Sequence, residues 1–282
     1  MRHHDRGMEM VKSGMVVVFG AIVTLLALPV HAGEEDPRQI MLNNEQARKA
    51  DVSEVAELTM TLVNKSGRER VRRVEFVLDD SDPRLRRSYL RFMSPANVRG
   101  TAFVQLEHEG RDNDRWLYLP ALRKTRRISG SAKTDSFVGT DFSFEDFEIL
   151  DGEVGGRNYK YTLLGEEEFR GEKCWLIKAV PATSVASENT GYGERRMWVE
   201  QEHYHVLFTE YYDHDLKLIK QMEASDLTLV PDGKGGEVRP HKLVMKNLMT
   251  EHTTIIKFEN FVLNNPLDKN MFTRDYLSRG MF

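Results

Sequence analysis

The sequence predicts a mainly β protein built on one antiparallel sheet, strongly curved or closed into a barrel. Three observations carry that expectation. About a dozen runs with period-two alternation follow one another at hairpin spacing. The chain shows no βαβ alternation and neither a Rossmann nor a P-loop signature. The single long interruption, Ser129 to Arg157, belongs to a length class that is usually functional or disordered, and its Phe content favours function. A two-sheet sandwich would show the same alternation.

In chain order, the first element reads as an export signal. Arg2, Arg6 and Lys12 precede the apolar run Met15 to Leu28, Pro29 breaks it, and Val30-His31-Ala32 offers a cleavage site after Ala32. The run is shorter than the roughly 20 apolar residues of a membrane span; an uncleaved anchor is the alternative. No cysteine follows it, so the expectation is an unlipidated product with one domain over 33–282. Asp36 to Lys49 reads as a helix with Ile40, Met41 and Ala47 on one side.

The period then changes to two. Ala56, Leu58, Met60 and Leu62 alternate with Glu57, Thr59 and Thr61, and Asn64-Lys65-Ser66-Gly67 supplies a turn. Val74, Phe76 and Leu78 share the next strand face, and Asp79 to Pro83 turns again. Strand-like runs follow at 84–93, 101–109, 115–119 and 122–128. After the Phe-rich segment they resume at 158–164, 173–180, 194–200, 206–213, 216–229, 237–249 and 253–263. Pro231 to Gly236 is a hairpin tip, and Pro266 to Leu277 is a last short helix.

Composition narrows the function classes. The 282 residues carry 40 basic and 44 acidic side chains, a net charge of −4. Removing residues 1–32 leaves 37 basic and 42 acidic ones, which argues against a dedicated nucleic-acid binder. The lone Cys174, in the strand-like run KCWLI, permits no internal disulfide and reads as a buried thiol.

Catalytic signatures are few. The chain has no G-x-S-x-G, no H-E-x-x-H and no paired-cysteine spacing. The best metal candidate is His203 and His205 in EHYH with His214 in DHD, against the reading that these are hairpin ends. Glu145/Asp146 and Glu166–Glu168 read as solubilising charge.

Two segments remain. Arg123, Lys124, Arg126 and Arg127 alternate sides of one strand, which suits an edge or rim; they either guard that edge or dock on an anionic surface. Beyond them come Phe137, Phe142, Phe144 and Phe147, with Gly139 as a candidate hinge. Phe144, Phe147 and Leu150 have helical spacing, so one apolar stripe faces inward, with the acidic side expected in water. Such a stripe belongs either to a core-capping helix or to a lid over an apolar hollow.

Together, WLYLP at Trp116–Pro120, the basic strand and DSFVGTDFSFED at Asp135–Asp146 resemble the outer membrane lipoprotein-sorting family, the LolA-like proteins. FMSPANVRGTAF at Phe92–Phe103 and LDKNMFTRDYL at Leu267–Leu277 fit the same family, in the branch associated with RND-type exporters. The resemblance implies an incomplete antiparallel β-barrel of about eleven strands, with a helical lid and terminal helices around an apolar cavity. It also implies a periplasmic carrier, with neither cofactor nor catalytic residues, for lipid or the acyl chains of lipoproteins. Transient contact with a membrane surface, and with an RND-type transporter or a lipoprotein-release complex, would follow. An accessory subunit of such an exporter is the alternative, and a metal-dependent hydrolase on the histidines the third reading. The expected cavity wall is Leu58, Met60, Leu62, Val74, Phe76, Leu78, Leu90 and Phe92, from their period-two placement on consecutive strands.

Overall fold

The alternating runs pair into one antiparallel sheet. The computed structural model describes Met1, residues 35–50, 52–82, 84–108, 113–147 and 159–278, and the backbone of 148–150. The export signal, the cleavage site after Ala32, the side chain of Leu150 and the segment 151–158 lie outside the described residues.

Helix α1 (Pro37–Ala47) starts where Asp36 accepts the Arg38 N–H and Pro37 occupies the first turn, and it buries Ile40, Met41 and Asn44. Strands β1 (Ser53–Val63), β2 (Glu69–Asp79), β3 (Leu85–Ser94), β4 (Ala102–His108), β5 (Asp114–Leu119) and β6 (Lys124–Arg127) follow. After α2 (Phe144–Leu150) come β7 (Tyr159–Phe169), β8 (Glu172–Pro181), the short α3 (Ser184–Glu188), β9 (Glu194–Glu200), β10 (Val206–Tyr212), β11 (Leu218–Val230), β12 (Glu237–Asn247) and β13 (His252–Leu263). A 3-10 turn at Lys269–Phe272 and α4 (Arg274–Ser278) complete the described chain.

The expected count of about eleven strands is corrected to thirteen among the described residues. Arg-rich β6, within the strand-like run expected at 122–128, has only four residues, none of them buried.

Every neighbouring pair is a sequential hairpin except one: β1 pairs with β13, which leaves β6 and β7 as the two edges. The sheet is therefore an unclosed barrel, and the segment that joins its two edges is the Phe-rich one. β6 guards its edge with charge, and so does β7 with Glu166, Glu167 and Glu168.

Register puts the apolar alternation of successive strands on one inner face. Leu58 faces Val74 on one side and Phe258 on the other, Val74 faces Phe92, and Phe76 faces Leu90. These side chains join Ile177, Met197, Tyr211, Met245 and Ile256 in one buried cluster, into which the Phe-rich segment inserts. A second cluster sits on the opposite face of β2–β5. There Val77, Tyr89, Ala102 and Val104 are covered by Phe272 and Leu277 of the C-terminal segment. That explains why Phe76, Val77 and Leu78 are all buried in succession: both faces of the sheet are covered there. The terminal helix thus packs outside the sheet and not over its hollow.

Candidate functional site

The interior of the half-barrel is occupied by the protein's own rings. Phe137, Phe142, Phe144 and Phe147 are all buried, with Phe137 completely so. Phe137 lies 5.9 Å from Phe92, 5.4 Å from Phe103, 5.4 Å from Phe144 and 4.3 Å from Phe147, between ring centroids. The segment enters through Val138 and Gly139, both left-handed at φ 50° and 73°. Glycine takes that conformation without cost, whereas a β-branched residue there is strained. Arg72 donates to the Val138 carbonyl at 2.7 Å and stacks over Phe92.

The acidic side of this segment does not face water, contrary to the sequence expectation. Glu145 and Asp146 are 2% and 1% exposed. Glu145 accepts from the Thr190 hydroxyl at 2.5 Å and the Gly191 N–H at 2.9 Å, with Arg195 at 3.4 Å. Asp146 accepts from the Tyr192 hydroxyl at 2.8 Å, the Ser143 N–H at 2.7 Å and Lys220 at 3.4 Å. Asp141 is held by the Thr254 hydroxyl at 2.7 Å. Burial pushes the Glu145 and Asp141 carboxyls above the ordinary range, against the pull of Arg195 on Glu145 and of the Thr254 hydroxyl on Asp141. The cations were the missing signal: Arg195 and Lys220 sit on distant strands, and only the sheet brings them to α2.

This polar latch is incompletely satisfied. Arg195 stacks against Tyr159 and Tyr192, each at 4.8 Å. Yet its Nε and the Ser143 Oγ are buried without a hydrogen-bond partner. A buried network with open valences docks a segment in one place while adding little to the strength of docking.

Beside the rings a cavity of about 90 Å³ remains. Leu58, Phe76, Leu78, Leu90 and Phe147 line it together with residues of β10 to β13, and Arg48, Glu54, His205 and Arg239 line it where α1 ends. Met60, Leu62, Val74 and Phe92 are buried in the same cluster but do not line this space. Roughly 150 Å³ accommodates a benzene ring, so this space is too small for a whole acyl chain while the Phe rings stay in place.

At the polar end, Arg239 uses all its N–H groups. Nε donates to Glu54 at 3.0 Å, Nη1 to the Ala47 and Val238 carbonyls at 3.0 and 3.1 Å, and Nη2 to the Lys49 carbonyl at 3.1 Å and to Glu237. Burial raises the Glu54 carboxyl, with Arg239 opposing it. Arg86, bonded to Asp80 at 2.6 Å, holds the Arg48 carbonyl at 3.3 Å. The sheet thereby caps the C-terminal carbonyls of α1 with two buried guanidinium groups.

The histidines do not converge. His203 and His205 lie before β10 and His214 after it, at opposite ends of that strand. His205 bonds the Val238 carbonyl through Nε2 at 3.0 Å, and His214 bonds the Thr190 carbonyl at 3.0 Å. Burial, followed by the nearby Arg48, lowers His205 to about 4. Its folded value then lies below the ordinary 6.5, so its contribution is complete above pH 6.5 and is lost as pH falls towards 4. That contribution is expected to be about 3 kcal/mol. His205→Gln should flatten the acid limb of a stability–pH profile from chemical denaturation; an unchanged limb would refute the assignment.

Among the basic residues, Arg123 caps the Pro120–Leu122 turn at φ 50°. Arg126 pairs with Asp135 at 3.3 Å and Arg127 with Asp114 at 2.7 Å. Arg123 and Lys124 are exposed and, among the described residues, form no ion pair. Cys174 is buried, and burial pushes its thiol up to about 11. No described helix is long and apolar enough to cross a membrane.

Comparison with known proteins places this architecture. A family model described as "uncharacterized protein" matches residues 84–279. The search of curated proteins returned no match. Among solved structures, an outer membrane lipoprotein-sorting protein domain from Vibrio parahaemolyticus superposes with TM-score 0.77 at 26% identity, over 86% of this chain and 98% of that one. A DUF1329 family protein from Desulfovibrio piger gives 0.76 at 26% identity, over 86% and 99%. A LolA superfamily protein from Nitrosomonas europaea gives 0.62 at 18% identity over 85% and 98%, a likeness of fold. The chain therefore belongs to the family that the matched model describes, and its unclosed thirteen-stranded sheet has the LolA-like fold of these outer membrane lipoprotein-sorting and LolA superfamily structures.

Proposed function

We propose that this protein is a periplasmic carrier, without catalytic activity, that takes up an acyl-bearing molecule, a lipid or lipid-modified protein, and moves it from the inner towards the outer membrane. The observation that carries the reading is the self-filled hollow: an unclosed barrel with an apolar inner face, whose contents are four Phe rings on a segment joining the two sheet edges. In this reading the wall is Leu58, Phe76, Leu78 and Leu90, which line the present cavity, with Met60, Leu62, Val74 and Phe92 uncovered once the rings leave; the lid is Phe137, Phe142, Phe144 and Phe147, hinged at Gly139.

Magnitudes support an exchange. Burying an acyl chain contributes about 0.8 kcal/mol per CH₂, or about 12 kcal/mol for some fifteen methylenes. Four Phe side chains at about 1.5–3 kcal/mol each amount to about 6–12 kcal/mol. Cargo can therefore replace the rings at little net cost, and in the empty protein the rings keep the inner face of the sheet covered. The latch carboxylates and their cations regain water on opening, which offsets the ion pairs that are lost.

The test is titration of the purified protein with a fluorescent fatty acyl probe, combined with native mass spectrometry of protein from its own host. Saturable uptake and co-purifying lipid are expected. Phe76→Glu, which puts a charge on the cavity wall, should abolish uptake, with the folded fraction measured alongside. A folded wild-type protein that takes up no probe and carries no lipid would refute the proposal. Exposed Arg123 and Lys124, with Arg126 and Arg127 behind them on the β6 edge, are the groups we assign to docking on an anionic surface.

A further inference from the structure

In an antiparallel meander, alternate turns share one end of the sheet. The connections β1–β2, β3–β4 and β5–β6 therefore lie side by side, because β6, β5, β4, β3, β2 and β1 are consecutive neighbours. Exposed in or next to these three turns are Lys65, Arg68, Arg70, Arg99, Arg123 and Lys124, against the single carboxylate Glu69. Elsewhere on the surface Arg73 pairs with Glu259, Arg126 with Asp135 and Arg170 with Glu223, while Arg38, Arg84 and Arg274 are exposed singly, without an ion pair among the described residues. None of the six has such a partner among the described residues.

The same three turns expose apolar side chains. Leu122 is 62% exposed at the tip of the β5–β6 turn, and Val71 and Met93, at the ends of their strands beside the other two turns, are 49% and 47% exposed. At the opposite end Leu229, beside the β11–β12 turn, and Val52 and Val262, at the outer ends of β1 and β13, are the exposed aliphatic residues among the described ones, without a comparable row of cationic turns around them. Apolar tips among unpaired cations, within a chain whose net charge is −4, match a surface that is negative outside and apolar beneath. The other half of the same end exposes Leu216, Leu248 and Met249, where Asp215 and Glu251 balance Lys217 and Lys246.

The patch lies at the lid. Arg72, which grips the Val138 carbonyl, is the fourth residue of β2 after the β1–β2 turn, and Phe92 and Phe103, which meet Phe137, flank the β3–β4 turn. The hinge pair Val138-Gly139 is therefore held at this end of the sheet.

We infer that these three turns form a docking surface for an anionic lipid bilayer, with Leu122, Met93 and Val71 entering the headgroup layer. This rests on the carrier reading and adds to it which end of the barrel meets the membrane: the end where the Phe lid opens. Cargo would then pass between bilayer and hollow without crossing water.

The experiment is co-sedimentation of the purified protein with vesicles of phosphatidylglycerol and phosphatidylethanolamine, or of phosphatidylcholine alone, at low and high salt. Binding to the anionic vesicles, weakened by salt, is expected. A Lys65→Glu, Arg68→Glu, Arg99→Glu variant should bind about a hundredfold more weakly, at roughly fivefold per cation lost. A Leu122→Ser, Met93→Ser variant should lose the part of binding that survives high salt. Both should keep the wild-type melting temperature and uptake of the soluble acyl probe. Vesicle binding by the charge variant equal to wild type, equal affinity for neutral vesicles, or binding only when a membrane protein is present would overturn the proposal. Failure of probe uptake in the wild-type protein would instead strike the carrier reading and leave the docking result to be read separately.

Discussion

Arg239→Ala is expected to lower the unfolding free energy by about 3–5 kcal/mol. The guanidinium is the partner of the buried Glu54 carboxylate and the cap on the Ala47 and Lys49 carbonyls. Its loss leaves a charge and two carbonyl groups without their donor in a place water reaches poorly. Urea unfolding followed by circular dichroism measures the cost. Limited proteolysis should show cleavage within 35–50 first, because α1 loses its hold on the sheet. Adding Glu54→Gln should recover part of the loss, since most of the penalty comes from the orphaned carboxylate. A loss below about 1 kcal/mol would mean that the pair is hydrated.

The lid gives the second large effect through a contrast. Phe92→Ala empties the wall and is expected to cost the full 3–5 kcal/mol or so of a buried aromatic truncation. Phe137 is as large and as buried, yet Phe137→Ala should cost less. A protein whose plug can open has a second folded state in which Phe137 contributes nothing. No lid substitution can then remove more stability than the free energy of closing. Adding Phe144→Ala or Glu145→Ala to Phe137→Ala should thus cost little further. Affinity for the acyl probe should rise, because the closed form competes less well with cargo. Paired measurements of unfolding free energy and probe affinity decide it. Additive losses of several kcal/mol with unchanged affinity would make the segment a fixed core helix, as would slow, cargo-indifferent hydrogen exchange over 135–147.

Docking at the three turns and opening of the lid would be coupled through Arg72. Its guanidinium ties the hinge carbonyl to the strand that leads out of the first basic turn. The latch on the other side, from Glu145 and Asp146 to Arg195, Tyr192 and Lys220, lies on the half of that end with fewer cations. The two halves of the opening therefore have different jobs in the carrier reading: one meets the bilayer, the other holds the lid shut.

The amino-acid sequence by itself determined the antiparallel sheet, the inner faces of β1, β2 and β3, and the segment that fills the hollow. Those features depend on local period, and a shift of one residue would turn every apolar side chain outward, so the pattern admits one register. The Phe-rich segment was legible because long polar loops do not carry four rings. The four-residue β6 was legible too, because a run with cations on both faces suits an edge of the sheet and not its centre. Tertiary structure alone decided the fate of the charges. Glu145 and Asp146 look like solvated residues between their Phe neighbours, and their partners Arg195 and Lys220 lie 50 and 74 positions away. Glu54 and Arg239 are 185 positions apart. Burial of a carboxylate is tolerable only where a cation from another strand arrives beside it. That arrival is set by sheet order: β1 meets β13, which leaves β6 and β7 as the edges that the Phe-rich segment joins.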